Sequence, residues 1–241
     1  MYDNYIFDLY GTLIDIRTNE NKPYLFQKIS EFYSANGAIY SPKEFKKQYL
    51  HYIALERSKS DNPYYEHEIG NVFVNLYLDK GVKPDDALIG YTARIFRIIS
   101  RSKMAVYDGV FELFDKIHQK GGRVFLLSNA QSLFTLPELK ETGLYERFDG
   151  VLISSEEQVC KPDTHFMDIL MKRYGLSKER SIMIGNDRRS DIKIANTYGM
   201  DSLYLMTDPH IEELAKREDV VEKATYEIMS GVFKDMINVI C

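Results

Sequence analysis

Four places in this 241-residue chain carry side chains that could do chemistry together, and each follows a short apolar run. Asp8 closes NYIFD and is followed by Gly11-Thr12. Ser128-Asn129 closes RVFLL. Ser154 and Ser155 follow VLI, with Lys161-Pro162 soon after. Gly185-Asn186-Asp187 follows SIMI, and Asp191 comes four residues after Asp187. Taken singly, an aspartate after a strand is ordinarily a cap or turn former and a Ser-Asn pair is a turn. Their convergence at successive strand ends is what points to a site. A carboxylate such as Asp8 can act as a nucleophile and form a covalent intermediate. Asp8, Asp187 and Asp191 side by side would repel one another unless cations neutralise them. Lys161 supplies one positive charge, and an oxygen-rich set at strand ends suits Mg²⁺, which takes few protein carboxylates. Thr12 and Ser128 add hydroxyl donors of the kind a phosphoryl group requires, alongside backbone N–H groups. The chemistry these groups describe is metal-assisted transfer of a phosphoryl group to an aspartate and then to water.

The elements that must position these groups alternate between strand and helix. Strand-like runs lie at 4–8, 123–127, 151–153, 181–184 and 202–206, with a weaker one at 224–228. Amphipathic helices are predicted over 110–119, 135–143, 163–174, 189–198 and 231–240. Apolar strands alternating with helices imply an α/β fold with a parallel sheet covered on both faces. Between the first strand and the rest lies a helical stretch. Leu25, Ile29, Phe32 and Tyr33 repeat at helical spacing, as do Phe45, Tyr49, Tyr52 and Ile53. Val72, Phe73, Leu76 and Tyr77 form a third set, and Leu88, Tyr91, Ile95, Ile98 and Ile99 a fourth. The organisation expected is an α/β core over 1–16 and 101–241, with an all-helical insertion over 17–100. Ligands of open parallel sheets sit at the carboxyl ends of the strands, so the insertion leaves the core at the mouth of the predicted site. There it could act as a lid.

Composition narrows the function classes. With 31 Lys+Arg against 36 Asp+Glu the net charge is −5, which argues against a nucleic-acid partner. No apolar run approaches the roughly 20 residues of a membrane span. MYDNYIFDLYGTL has Asp3 early and no basic stretch, so no secretory signal is expected. Cys160 and Cys241 are the two cysteines; they exclude a disulfide scaffold and fit a reducing cytoplasm. The expected partner is a small phosphorylated molecule, and the chain is expected as a monomer or homodimer.

FDLYGTLID at 7–15 resembles the first signature of the haloacid dehalogenase-like hydrolases. LLSNA at 126–130 resembles the second, Lys161 within SSEEQVCKPD the third, and IGNDRRSDI at 184–192 the fourth. The resemblance covers about 1–16 and 105–210. It implies a Rossmann-like doubly wound core with the first strand central and a cap inserted between the first two motifs. It also assigns roles. Asp8 is the nucleophile. Thr12 and Ser128 hold the transferring group, with Asn129 in support. Lys161 neutralises charge. Mg²⁺ is held by Asp8, the backbone carbonyl of Tyr10 and Asp187, with Asp191 beside it or orienting Lys161, and Asn186 as a further candidate.

The family's second aspartate, a general acid and base, is replaced here by Tyr10. A phenol with a pKa near 10 is a poor substitute for either role. Losing such an acid costs on the order of 10²–10⁴-fold where the leaving group needs a proton. A halide needs none, and the family's dehalogenases carry a similar DLYGTL run and use no metal. Their fourth motif has one carboxylate where this chain has Asp187 and Asp191. Their cap arginine has no clear counterpart in FKKQYLHYIALER, where Lys46 and Lys47 come first and Arg57 later. The reading is therefore a Mg²⁺-dependent phosphatase of small phosphorylated metabolites. The alternatives are a metal-independent 2-haloacid dehalogenase, or a weakly active or inactive family member that acts by binding.

The remaining candidates have plainer readings. The insertion's aromatic residues are mostly helix-bundle core. The five histidines, His51, His67, His118, His165 and His210, show no ligand spacing. Cys160 lacks the placed histidine base that a cysteine nucleophile needs. KEFKK at 43–47 and HIEELAKRED at 210–219 read as solvated helix faces.

Overall fold

The computed structural model describes residues 2–208, 210, 211, 213, 216 and 222–240. Among them, six parallel strands form the central sheet: β1 (Asn4–Phe7), β4 (Arg123–Ser128), β5 (Gly150–Ile153), β6 (Ser181–Gly185), β7 (Asp201–Leu205) and β8 (Tyr226–Ile228). The order across the sheet is β5-β4-β1-β6-β7-β8, which puts β1 inside the sheet. Side chains alternate between two buried faces, as a period of two requires. Phe7, Leu126, Ile184 and Leu205 face helices α5 (Val110–Gln119) and α10 (Phe233–Ile240). Ile6, Phe125, Leu127 and Met183 face α8 (Thr164–Tyr174) and α9 (Lys193–Tyr198). The Rossmann-like layering expected from the sequence is what the chain adopts.

The helical stretch is four helices, α1 (Pro23–Ala35), α2 (Pro42–Arg57), α3 (Ile69–Leu78) and α4 (Asp86–Ser100). Local signals set their starts. The Ser41 side chain accepts the Glu44 amide at 3.3 Å and Pro42 opens α2. Asp85 accepts the Leu88 amide at 2.8 Å and opens α4. Tyr33, Phe45, Phe73, Tyr77 and Phe96 are fully buried among these helices, the bundle core expected of them. Tyr24 and Tyr91 are exceptions, 58% and 64% exposed. Phe134, from α6 (Ser132–Glu141) of the α/β unit, packs into the same cluster.

A two-stranded antiparallel ribbon carries the chain into and out of the helical unit. It pairs β2 (Ile14–Thr18) with β3 (Arg101–Val106), a feature the sequence reading lacked. IDIRT has the period-two alternation of a strand but is only five residues long, and its outer half is exposed. The changeover between the units thus lies within a ribbon, where the reading had the core end at 16. Smaller differences lie at element ends. The helix expected at 189–198 is a wide turn over Arg188–Ile192 followed by α9, and Ser154–Glu157 forms a one-turn helix, α7. Most of the charged run at 210–219 and Cys241 lie outside the described residues. No described helix is long and apolar enough to cross a membrane.

Candidate active site

Register brings the strand ends together. Phe7 of β1 is level with Leu126 on one side and Ile184 on the other. The next residues, Asp8, Leu127 and Gly185, therefore lie level at the carboxyl ends of the strands, Asp8 just past β1 and the other two at the ends of β4 and β6. Asp8 is 9% exposed, and the Lys161 ammonium lies against it. Lys161 Nζ donates to Asp8 Oδ1 at 2.7 Å and to the Leu127 carbonyl at 2.6 Å, and sits 2.8 Å from Asp191 Oδ1. Three acceptors match three ammonium protons, so the group is saturated. Burial alone would lower the Lys161 pKa, but the Asp191 and Asp8 carboxylates outweigh it and the net shift is upward. Burial pushes the Asp191 carboxyl up to about 6 despite the opposing ammonium. The upward shift keeps Lys161 charged near neutral pH. Two carboxylates and one ammonium leave the centre one net negative charge.

Two glycines make this packing possible. A Cβ on Gly185 would fall 2.2 Å from Asp191 Oδ2, and one on Gly11 would fall 2.3 Å from Asn186 Nδ2. Gly11 also has φ +82°, a left-handed conformation that favours glycine. Beyond Gly11, the Thr12 hydroxyl donates to Asp8 Oδ2 at 3.0 Å and lies 3.3 Å from Asn186 Oδ1. One hydroxyl proton cannot serve both oxygens. This convergence of excess acceptors, with the net negative charge, fits a hard cation. The Ser128 hydroxyl is buried and has no hydrogen-bond partner among the described residues, as suits a donor held for a ligand.

Other expected site residues are placed differently. Asn129 is a brace: its Nδ2 donates to the Lys161 carbonyl at 2.9 Å and its Oδ1 accepts the Lys161 amide at 2.8 Å. Asp187, expected as the main metal ligand, is engaged by Arg189, whose Nε and Nη2 reach its oxygens at 2.9 and 2.8 Å. The adjacent guanidinium neutralises it, and the Arg189 amide also donates to it at 2.9 Å. Asn186, the neutral candidate, is the one beside Asp8 and Thr12. Asp191 is 1% exposed and, besides meeting Lys161, accepts the Asp187 amide at 3.0 Å. Tyr10, which stands where the family has its second aspartate, is engaged by a different carboxylate. Its hydroxyl donates to Glu138 and lies 3.1 Å from Thr135 Oγ1. Burial first and Glu138 second raise its pKa well above that of an ordinary phenol. Cys160, pushed up to about 11 mainly by burial, has the protonated thiol of a spectator.

A cavity of about 690 Å³ opens beside these strand ends, between the helical unit and the α/β unit. Tyr10, Asn129 and Gln131 contribute to its lining from one unit and Phe26, Tyr49 and His67 from the other. Glu66 also lines it and is held by the core: its Oε1 accepts from Gln131 Nε2 at 2.8 Å, and its Oε2 accepts from Ser154 Oγ at 3.2 Å. Burial raises the pKa of both Glu66 and Glu20, another wall residue, and lowers that of His67. None of these residues stood out by spacing, since their meeting depends on how two units pack.

Comparison with known proteins agrees with this architecture. The sequence profile of the haloacid dehalogenase-like hydrolases matches residues 2–199. A pyrimidine 5'-nucleotidase of Streptococcus pneumoniae is 24% identical over 227 residues, covering 94% of this chain and 92% of that one. A glyceraldehyde 3-phosphate phosphatase of Methanothermobacter thermautotrophicus is 32% identical over 108 residues, 44% of this chain and 46% of its own. Among solved structures, a 2-haloacid dehalogenase from Pseudomonas syringae superposes with a TM-score of 0.68 at 16% identity, over 99% of both chains. A Bacillus subtilis hydrolase solved with bound magnesium superposes at 0.55 and 20% identity, over 99% of this chain and 98% of that one. With Asp8, Lys161 and Asp191 assembled at the strand ends and the family profile spanning most of its length, the chain is an enzyme of the haloacid dehalogenase-like hydrolase family.

Proposed function

We propose that this enzyme is a Mg²⁺-dependent phosphomonoester hydrolase that acts on small phosphorylated metabolites through an aspartyl-phosphate on Asp8. The observation that carries the reading is the net negative charge of the Asp8–Lys161–Asp191 centre beside converging oxygens of Asp8 and Asn186. An anionic substrate meets repulsion there until a cation is added. Asp8, Asn186 and the Tyr10 carbonyl are the groups that would hold Mg²⁺, with Asp187 joining on release from Arg189 and Asp191 close by. When bound, the ion supplies positive charge against the phosphoryl oxygens. In the first step an Asp8 carboxylate oxygen attacks phosphorus and the bond to the leaving oxygen breaks. That oxygen departs with a proton taken from water in the cavity. In the second step the hydroxide left by that water attacks phosphorus and the bond to Asp8 breaks, which frees the Asp8 carboxylate and hydrogen phosphate. Thr12 and Ser128 donate to the phosphoryl oxygens, and Lys161 offsets the charge that Asp8 shares with them. The cavity volume of about 690 Å³ falls within the roughly 300–1,000 Å³ of small-molecule sites and leaves room for a metabolite-sized leaving group.

A second reading, 2-haloacid dehalogenation, is favoured by Tyr10, because halide departure needs no proton and the phenol offers none. Against it stand Glu20 and Glu66 in the cavity wall and the commitment of Arg97 to Glu138; Arg57, in the same wall, is the cation there that a substrate carboxylate could meet. Hydrolysis of p-nitrophenyl phosphate, measured with Mg²⁺ and with EDTA beside Asp8→Asn, tests the first reading. Activity that requires both Mg²⁺ and Asp8 supports it. Chloride release from 2-chloropropionate in EDTA, without phosphatase activity, replaces it with the second.

A further inference from the structure

We infer that Tyr10 is a positioning residue: it couples the loop that carries Asp8 to the seating of the helical unit, through Glu138 and Arg97. The inference rests on the reading of Asp8 as the nucleophile, and its principal test does not need turnover.

Glu138, on α6, is 2% exposed and receives donors from three separate parts of the chain. Tyr10, two residues past Asp8, donates from the loop between β1 and β2. Arg97, on α4 of the helical unit, donates from Nε to Oε1 at 2.8 Å and from Nη2 to Oε2 at 3.2 Å. Arg101, the first residue of β3, donates from Nη1 at 3.0 Å. One buried carboxylate thus joins the nucleophile loop, the helical unit and the ribbon between the units. The Arg97 guanidinium also lies 5.3 Å from the centroids of both the Tyr10 and Phe134 rings, so it is stacked as well as paired.

The connection from Tyr10 to Asp8 is short and stiff. The amides of Thr12, Leu13 and Ile14 all donate to the Leu9 carbonyl, at 3.2, 2.7 and 3.0 Å, and the Gly11 amide donates to the Ile14 carbonyl at 2.8 Å. Thr12 then donates to Asp8 itself. If the helical unit lifts, Arg97 leaves both Glu138 and the Tyr10 ring; Glu138 keeps Tyr10 and Arg101, but the loop loses the guanidinium stacked on its ring. A buried carboxylate that loses its two-pronged partner is costly, so Glu138 favours the seated arrangement. Tyr10 thereby has a role that needs neither gain nor loss of its proton.

Amide hydrogen exchange of residues 11–14 reads the loop directly in wild type, Arg97→Gln, Arg97→Lys, Tyr10→Phe and Arg94→Gln. The last is a control on the same helix. Arg97→Gln is expected to raise exchange of these amides fivefold or more. Arg97→Lys should restore at least half of that change on a logarithmic scale, and Arg94→Gln should leave exchange unaltered. Tyr10→Phe keeps the ring and removes the donor, so it should raise exchange and lower kcat about 3–10-fold while the pH–rate profile keeps its shape. Unchanged loop exchange in Arg97→Gln would overturn the coupling. Loss of a limb of the pH–rate profile in Tyr10→Phe would overturn it too, by making Tyr10 a proton-transfer group.

Discussion

Replacing Lys161 by Met tests the electrostatic account of the site. The ammonium is 2% exposed and lies 2.7 and 2.8 Å from two carboxylates. Met retains much of the length of the side chain and removes the charge. What remains is two buried carboxyl groups facing each other and a Leu127 carbonyl without its donor. Removing one partner of a buried pair typically costs about 3–5 kcal/mol. That is a large part of the roughly 5–15 kcal/mol that holds a domain folded. The loss should depend on pH with a definite sign. Asp191 already sits near 6 with the ammonium beside it, and without it the carboxyl moves further up. A carboxyl whose folded pKa exceeds its unfolded value stabilises below the unfolded value, and that contribution is lost as pH rises through the folded one. The Lys161→Met deficit should therefore be full near pH 8 and smaller near pH 5. Lys161→Met/Asp191→Asn removes one of the two opposed charges and should regain at least about 1.5 kcal/mol, half of the low end of the loss. Urea unfolding of the three proteins at both pH values gives the comparison. A single variant within about 1 kcal/mol of wild type at pH 8, or a double variant no more stable than the single one, would refute the reasoning.

Gly185→Ala places a Cβ 2.2 Å from Asp191 Oδ2, so the carboxyl must move off Lys161. A steady-state assay should show kcat reduced about 100-fold or more, the scale of an ångström-level misplacement. Arg189→Met releases Asp187 for the metal, and the half-saturating Mg²⁺ concentration in the p-nitrophenyl phosphate assay should fall several-fold. An unchanged value would remove Asp187 from the ligand set. His67 is kept neutral chiefly by burial, so its folded pKa lies below the unfolded one. Its contribution is present above about pH 6.5 and lost as pH falls through the folded pKa. His67→Gln should therefore lose less Tm than wild type between pH 7 and pH 5, as differential scanning fluorimetry at both values would register.

Much of this architecture was legible because the relevant signals are local. An apolar run that ends in a polar or charged residue marks both a strand and its end, and such ends led to Asp8, Lys161 and Asp191, which the structure brings into contact. The caps at Ser41 and Asp85 are equally local signals, although the sequence reading did not name them. The ribbon was harder: IDIRT alternates correctly, but five residues with an exposed outer half carry little weight beside a long helical segment. Asp187 and Asn186 exchanged prominence because residue type favours the carboxylate as a ligand, whereas Arg189, two positions on, captures it. The cavity wall could not be read at all. Glu66 meets Gln131 and Ser154 across 65 and 88 residues of chain, and nothing in either neighbourhood announces the other.

Tyr10 shows where residue type stops being informative. Its chemistry alone was enough to argue that the chain lacks the family's usual acid and base, and the phenol's elevated pKa agrees. Its task lies with Glu138, 128 residues downstream in a helix whose sequence, SLFTLPELKE, has no feature suggestive of a site. A missing acid invites the conclusion that the enzyme is impaired. Filling the position with a hydrogen-bonded ring under Arg97 supports a different one, that the position has exchanged proton transfer for control of geometry. On that account Tyr10→Asp would not simply restore an acid. The shorter carboxylate would bring a second negative charge towards Glu138, compete for Arg97, and leave the loop without its ring contact. Any gain in leaving-group protonation would then be offset by poorer alignment of Asp8, and kcat should rise by less than the 10²–10⁴-fold that a well-placed acid supplies.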